Sequence, residues 1–252
     1  MRDTRFIFVE GIMGAGKTTA AEFLTNRLHR NGIAARFLPE GPTTSQRAHP
    51  LRVGPTLSPV RTAWYDITIE EYVALSLEKW RAFSNAAEAS APITVCDGLL
   101  FHGNMTDLLL MDAEPQVLHR YVTAVVESIA CLNPTLIYLR HADVAHALRA
   151  VCDERGSEWE AMQVAWKVGS PYGVRRSLQG FEGLTALYQR YGATCDDLYA
   201  RLVLPKVAVV RDGDWARGYG DILAFLELRP SSEASDFPTT ETGSPDGLMK
   251  LL

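Results

Sequence analysis

The chain has 252 residues, 47% of them apolar, and a formal net charge of −5. That composition supports one sizeable buried core, and the acidic balance excludes wholesale binding to a nucleic acid backbone. There is no apolar run of the length a membrane span needs, and MRDTRFIFVEG enters a strand directly, without the apolar region and cleavage site of a secretory leader.

In chain order, Phe6-Ile7-Phe8-Val9 is a short apolar run that reads as a strand. Gly11 to Thr18 then fits G-x-x-x-x-G-K-[ST] at every position, and an alanine-rich helical pattern follows at once. Strand before and helix after mark a phosphate-binding loop. Its expected nucleotide contacts are Gly11, Met13, Gly14, Ala15, Gly16, Lys17, Thr18 and Thr19, with ATP as ligand. Lys17 can reach the β- and γ-phosphates, and the Thr18 hydroxyl is placed to hold Mg²⁺.

Thr18 to Asn31 has helical spacing, and Gly32 stands where a left-handed cap would end it. A second strand, Ile33 to Leu38, runs into Pro39-Glu40-Gly41-Pro42, and residues 43 to 63 read as a long loop over the site. Ile67 to Ala89 is a helix striped by Ile69, Tyr72, Val73, Leu77, Trp80 and Phe83. The third strand, Pro92 to Cys96, ends at Asp97-Gly98. Val117, Tyr121, Val125 and Ile129 mark a helix, Leu136 to Leu139 a strand, and Val144, Leu148 and Val151 another helix. Residues 154 to 180, charged and glycine-containing, read as a mobile lid. Leu184 to Leu202 is helical, Val207 to Val210 is the fifth strand, and Ile222 to Leu226 a last helix. From Pro230 the composition predicts disorder. The expected organisation is one domain over 1–229 and a tail over 230–252.

Five strands alternating with helices, the first running into a phosphate loop, predict an α/β fold: the three-layer sandwich of P-loop NTPases, with a five-stranded parallel sheet covered on both faces and a helical lid region. Ligands of such sheets bind beyond the carboxyl ends of the strands. The phosphate loop, Glu40, Asp97 and Arg140-His141 all fall there. A carboxylate near an incoming hydroxyl can take its proton, and a second can serve the magnesium. Asp97 reads as base or metal contact, or as a strand-end cap. Glu10 reads as a hydrogen-bonding support of the loop, or as a solvated strand end. His102 and Asn104 follow on the same edge, as acceptor contacts or, for Asn104 especially, as a helix cap. Tyr72 and Trp80 read as stacking partners of an acceptor or as core. Lys167, Arg175 and Arg176 form a basic, glycine-hinged segment able to clamp nucleotide or acceptor, with Arg176 as acceptor contact, or each is a solvated surface charge. Cys96, Cys131, Cys152 and Cys195 are scattered and read as small core residues of a reduced, cytoplasmic protein. The oligomeric state is open, a homodimer included.

Val9-Glu10-Gly11 running into Gly14-Ala15-Gly16-Lys17-Thr18 resembles the opening of thymidylate kinases and deoxynucleoside kinases. Leu38-Pro39-Glu40-Gly41-Pro42 resembles their Pro-Glu-Pro or Arg-Glu-Pro segment, whose Glu is the general base in deoxynucleoside kinases. The resemblance gives that role to Glu40, beside the plain reading of a turn residue. Ile69 to Ser76 is similar to their substrate-lining helix, and Asp97 stands where they carry an acidic residue followed by Arg. Asp143 to Arg155 resembles the helix leading to the lid of nucleotide kinases, which implies that Arg149 or Arg155 closes on the phosphates. Trp215 lies where related kinases pass close to adenine, and either stacks there or pins the last helix. Two departures separate the chain from the group: Gly98 replaces the Arg, and Leu99 to Asn104 brings no Tyr into register. Antibiotic-modifying kinases such as chloramphenicol phosphotransferase share the fold and use an Asp near the same edge. The implied function is an ATP- and Mg²⁺-dependent phosphotransferase acting on a hydroxyl or phosphate of a small molecule: nucleoside, nucleotide or antibiotic-like. The alternative is a regulatory ATPase or switch with no acceptor.

Overall fold

The computed structural model describes residues 3–41, 49–53, 67–87, 91–211 and 214–229. Most of the expected loop over 43 to 63, and the tail from Pro230, lie outside the described residues. Five parallel strands form one sheet in the order β2-β3-β1-β4-β5. They are β1 (Phe6–Gly11), β2 (Ala35–Leu38), β3 (Ile93–Asp97), β4 (Pro134–His141) and β5 (Lys206–Arg211). Every residue of β1 is buried, as its unbroken apolar run requires of a central parallel strand. The chain passes from β3 to β4 across β1, so the crevice of the sheet opens at the end of β1.

Helix α1 (Lys17–Arg30) follows β1 and packs on β1, β2 and β3. Gly32 closes it with a φ of +73°, the left-handed stop its position predicted. Helix α2 (Ile69–Asn85) opens with a capping box: Thr68 Oγ1 accepts the Glu71 amide at 3.1 Å, and Glu71 accepts the Thr68 amide at 2.8 Å. Trp80 of α2 meets the rings of Phe6 and Phe8 at 6.0 and 5.9 Å. Side chains alternate along a strand, so Ile7 and Val9 turn to the opposite face. Helices α3 (Asn104–Leu110), α4 (Pro115–Ser128), α5 (Val144–Arg155), α6 (Ser157–Gln163), α7 (Pro171–Arg175), α8 (Gly180–Arg201) and α9 (Trp215–Phe225) complete the chain. The result is a three-layer α/β sandwich, a five-stranded parallel sheet with helices.

Two elements depart from expectation, α3 and α9. Helix α3 was not foreseen; all seven of its residues are buried, so it has no polar face to reveal a helical period. Residues 154 to 180 are largely helical, as expected of that region: α6 continues into a π-helical turn, Val164–Val168, and α7 follows, capped by Ser170 and Pro171. Helix α9 begins at Trp215 because the Asp214 carboxylate caps it, accepting the Arg217 amide at 2.9 Å. Cys96, Cys152 and Cys195 are buried, whereas Cys131 is exposed. Among the described residues, no helix is long and apolar enough to cross a membrane.

Candidate active site

From Gly11 the chain curls through residues 12–16 into α1, with Gly14 and Gly16 at φ of 80° and 76°. The Ala15 amide donates to the Ile12 carbonyl at 3.1 Å and closes the curl. Gly16 is the N-cap and offers no side-chain cap. The first-turn amides of Lys17, Thr18 and Thr19 are thereby left to an anion at the positive end of the helix. Lys17 is buried, and its Nζ donates to the Ile12 carbonyl at 3.2 Å. Met13 is half-buried and accepts the Tyr188 hydroxyl on its sulfur at 3.6 Å.

Asp97 ends β3, next to β1, and is 2% exposed. Thr18 Oγ1 donates to its Oδ2 at 2.6 Å, while Oδ1 is buried without a hydrogen-bond partner. Burial raises its pKa to about 6; Lys17 and the Thr18 hydroxyl oppose the rise and Glu40 adds to it. A hydroxyl that gives its proton to a carboxylate keeps its lone pairs for another partner. One hydroxyl and one carboxylate, the latter with an orphaned oxygen, form a hard oxygen set, so the residues present fit Mg²⁺. Among the described residues no group of three or more His, Cys, Asp or Glu is placed to hold a metal, so a cation here would share its shell with phosphate oxygens.

The stem of Lys17 crosses Gly98. A Cβ at Gly98 would stand 2.7 Å from Lys17 Cε, and φ there is +63°. A side chain at this position would press on the Lys17 stem. Glu10 is fully buried and accepts three amides of the loop after β3: Leu100 at 2.6 Å, Phe101 at 3.1 Å and His102 at 3.2 Å. Burial lifts its pKa to about 8, against the pull of those amides and of Lys17. Glu10 therefore supports a loop by hydrogen bonding, and that loop carries His102.

Glu40 stands just beyond β2 with its side chain 32% exposed. Its Oε1 is shared by Arg52 Nη1 at 3.4 Å and His102 Nε2 at 3.3 Å. The Arg52 guanidinium is buried, and its Nη2 lies 3.6 Å from Asp107 Oδ2. The strap that carries Arg52 is fastened by Asn104, whose Nδ2 donates to the Leu51 carbonyl at 2.7 Å and whose Oδ1 accepts the Val53 amide at 3.2 Å. His49 ties the two sides of the strap. Its Nε2 bonds the Pro39 carbonyl at 2.9 Å and its Nδ1 accepts the Leu51 amide at 3.1 Å. Burial pushes its pKa down to about 4, so the imidazole is neutral.

Several expectations need correcting. Tyr72 is fully buried, and its hydroxyl is spent on Asn104 at 3.1 Å and Asp107 at 2.7 Å; it braces the strap instead of lining an acceptor cavity. Trp80 is core. Asn104 caps nothing, since Gly103 holds the N-cap position. Arg176 is drawn away by Asp112, whose side chain is 7% exposed and which takes Arg176 at 2.6 Å and Arg175 at 2.7 Å. Trp215 stacks on Tyr219 at 5.6 Å, and Tyr219 packs on Phe23 of α1 at 4.5 Å, so it pins α9. His102 does stand at the edge, with Nδ1 on the Tyr191 hydroxyl at 3.2 Å.

The lid arginines separate. A Cβ at Gly14 would run into Val151, with the Ala147 carbonyl next nearest, so that stripe of α5 faces the phosphate loop. Arg155, one turn beyond Val151, continues the stripe. Arg149 projects from the opposite side, bonded to Glu160 at 2.9 Å and stacked on Phe181 at 3.5 Å. Its expected phosphate contact is not what the helix presents. Lys167 is buried over the ring of Tyr188 at 5.0 Å, and Tyr188 in turn touches Met13. Sequence reasoning missed Arg52, Asp107, Asp112, Tyr188 and Tyr191. Arg52 sits in an aperiodic stretch that gave no sign of it, and the two tyrosines passed as helix core.

No family model matches the chain, and no curated protein matches its sequence. Among solved structures, the chain is similar to a deoxyadenosine kinase from M. mycoides with bound dCTP, at 14% identity and a TM-score of 0.40, over 88% of this chain and 98% of that one. It is also similar to APE1195, at 16% identity and a TM-score of 0.38, over 79% of this chain and 98% of that one. Likenesses this distant name no substrate, and the chemistry is argued from the residues of the chain itself.

Proposed function

We propose that the chain is an ATP-dependent phosphotransferase that moves the γ-phosphoryl group to a small-molecule acceptor. The observation that carries this reading is the Thr18–Asp97 hydrogen bond at the foot of the phosphate loop, with Glu40 within electrostatic reach of Asp97. Phosphoryl transfer asks for alignment and cancellation of charge on the phosphate oxygens. The loop amides and Lys17 would hold the β- and γ-phosphates, and Arg155 and Lys167 would add charge from the lid side. Thr18 and Asp97 would hold Mg²⁺, which when bound supplies charge neutralisation across those phosphates.

The two carboxylates then divide the work by what each is already bonded to. Asp97 is committed to Thr18. Glu40 is fixed through one oxygen and stays partly open, so it would take the acceptor proton. As that proton moves to Glu40, the acceptor oxygen bonds to γ-phosphorus and the bond to the bridging oxygen breaks, leaving ADP.

The test is incubation of the protein with ATP, Mg²⁺ and a panel of nucleosides, nucleotides and aminocyclitols, followed by mass spectrometry. An acceptor that gains one phosphoryl unit, and fails to do so with Lys17→Ala, supports the reading. ATP hydrolysis with no acceptor modified would favour a regulatory ATPase.

A further inference from the structure

Behind Glu40 stands a histidine with protein groups at both of its ring nitrogens. The His102 side chain is 13% exposed, and its Nε2 lies 3.3 Å from Glu40 Oε1. Its Nδ1 lies 3.2 Å from the Tyr191 hydroxyl. The ring rides on the loop after β3, where the His102 amide donates to Glu10 at 3.2 Å. Tyr191 comes from α8 and is fully buried, edge-on to Tyr188 at 5.9 Å. The end of β2, the loop after β3 and α8 thus meet through Glu40, His102 and Tyr191.

The chemistry of the three groups sets the direction of each proton. A carboxylate only accepts, so Nε2 must carry the hydrogen between His102 and Glu40. In a neutral imidazole Nδ1 is then an acceptor, and the Tyr191 O–H is the donor placed to fill it. Burial keeps that phenol protonated, well above the usual phenol range. Thr106 and Cys195 also stand beside the Tyr191 hydroxyl. Burial keeps Cys195 a thiol, which accepts weakly, and Thr106 is directed at the Phe101 carbonyl at 3.2 Å. The imidazole nitrogen is the strongest base of the three, so the phenol proton goes to Nδ1.

Arg52 Nη1 meets the same oxygen of Glu40, Oε1, at 3.4 Å. With both donors on Oε1, Oε2 is the oxygen that would take the acceptor proton.

We propose that His102 is a positioning residue and not an acceptor contact: Tyr191 fixes its tautomer, and its Nε2–H holds Glu40 ionised and oriented. The proposal rests on the phosphotransferase reading above and deepens it. No proton travels along the three groups. Tyr191 and His102 keep theirs while Glu40 gains that of the acceptor.

Two measurements test this. In the full chain with isotope-labelled histidine, the His102 resonances are identified by their loss in His102→Gln. At pH 8 the ring is expected as the Nε2–H tautomer, and the Nδ1–H tautomer or a persisting imidazolium overturns the proposal. The second measurement is kinetic, on the acceptor that gains a phosphoryl unit. Tyr191→Phe is expected to lower kcat at least threefold, with KM for ATP within twofold of wild type. A glutamine amide can donate to Glu40 with no tautomer to fix. Tyr191→Phe added to His102→Gln should therefore bring no further loss of kcat. An equal loss in both backgrounds assigns Tyr191 to packing and overturns the proposal. Absence of phosphoryl gain with wild type sinks the phosphotransferase reading, while the spectrum, read without turnover, still decides the state of His102.

Discussion

At Gly98 a single hydrogen atom decides whether Lys17 can lie where it does. A methyl group there would press on Lys17 Cε, and the residue would also be held at a φ of +63°. Strain of that kind costs about 1–2 kcal/mol before any contact is counted. Gly98→Ala is therefore expected to weaken ATP binding about tenfold or more, because the lysine must move to make room. Titration calorimetry with Mg²⁺·ATP reads this directly, and unchanged affinity would mean that Lys17 is free to shift at no cost. His49 offers a residue-scale prediction of a different kind. Its folded pKa of about 4 lies below the ordinary value of 6.5. Between those values the unfolded chain binds a proton that the folded chain does not, so this group lowers stability as pH falls through the window. His49→Gln removes the term, and the stability difference between wild type and variant should narrow on going from pH 7 to pH 4.5. The narrowing is on the order of 1–2 kcal/mol. Denaturant unfolding at the two pH values measures it, and a constant difference would count against a neutral, buried imidazole.

Asn104 shows what an element can do that its sequence neighbourhood does not announce. As the first residue of α3 it spends its amide on Leu51, Val53 and Ser76, and accepts from Tyr72 as well. Asn104→Ala would leave several buried partners unsatisfied, at about 1–3 kcal/mol for each. The expected outcome is a protein destabilised by ~2–4 kcal/mol in which phosphoryl transfer falls further than ATP affinity, since the strap carries Arg52 and not the phosphate loop. The same element marks the limit of sequence reading. The phosphate loop was legible because strand, turn and helix follow one another without a gap, and each constrains the next. Asp97 was legible because a strand end points to the crevice. Arg52 was not, because it reaches Glu40 through partners far along the chain. Tyr72 was placed wrongly because its period identifies a buried stripe on α2 without saying whether that stripe closes on protein or on a cavity. Helix α3 was missed for a related reason: a short helix buried all round carries no amphipathic signature.

For the molecule as a whole, the sheet gathers at one edge two kinds of residue that a binding experiment can tell apart. Lys17 belongs to the loop that would hold the nucleotide, whereas Glu40 belongs to a network of its own, fixed by Arg52 and His102. A ligand that binds only the folded state stabilises it by about 2.7 kcal/mol at a hundred times its Kd. Mg²⁺·ATP should therefore raise the unfolding temperature of wild type by several degrees, roughly 2–4 °C per kcal/mol for a domain of this size. Lys17→Ala should show no such rise. Glu40→Gln should show nearly the full rise and yet transfer phosphate at least a hundredfold more slowly, because a general base contributes about 10²–10⁴ in rate without holding the nucleotide. Loss of the thermal shift in Glu40→Gln would join Glu40 to nucleotide binding and would move the proton acceptor elsewhere on this edge.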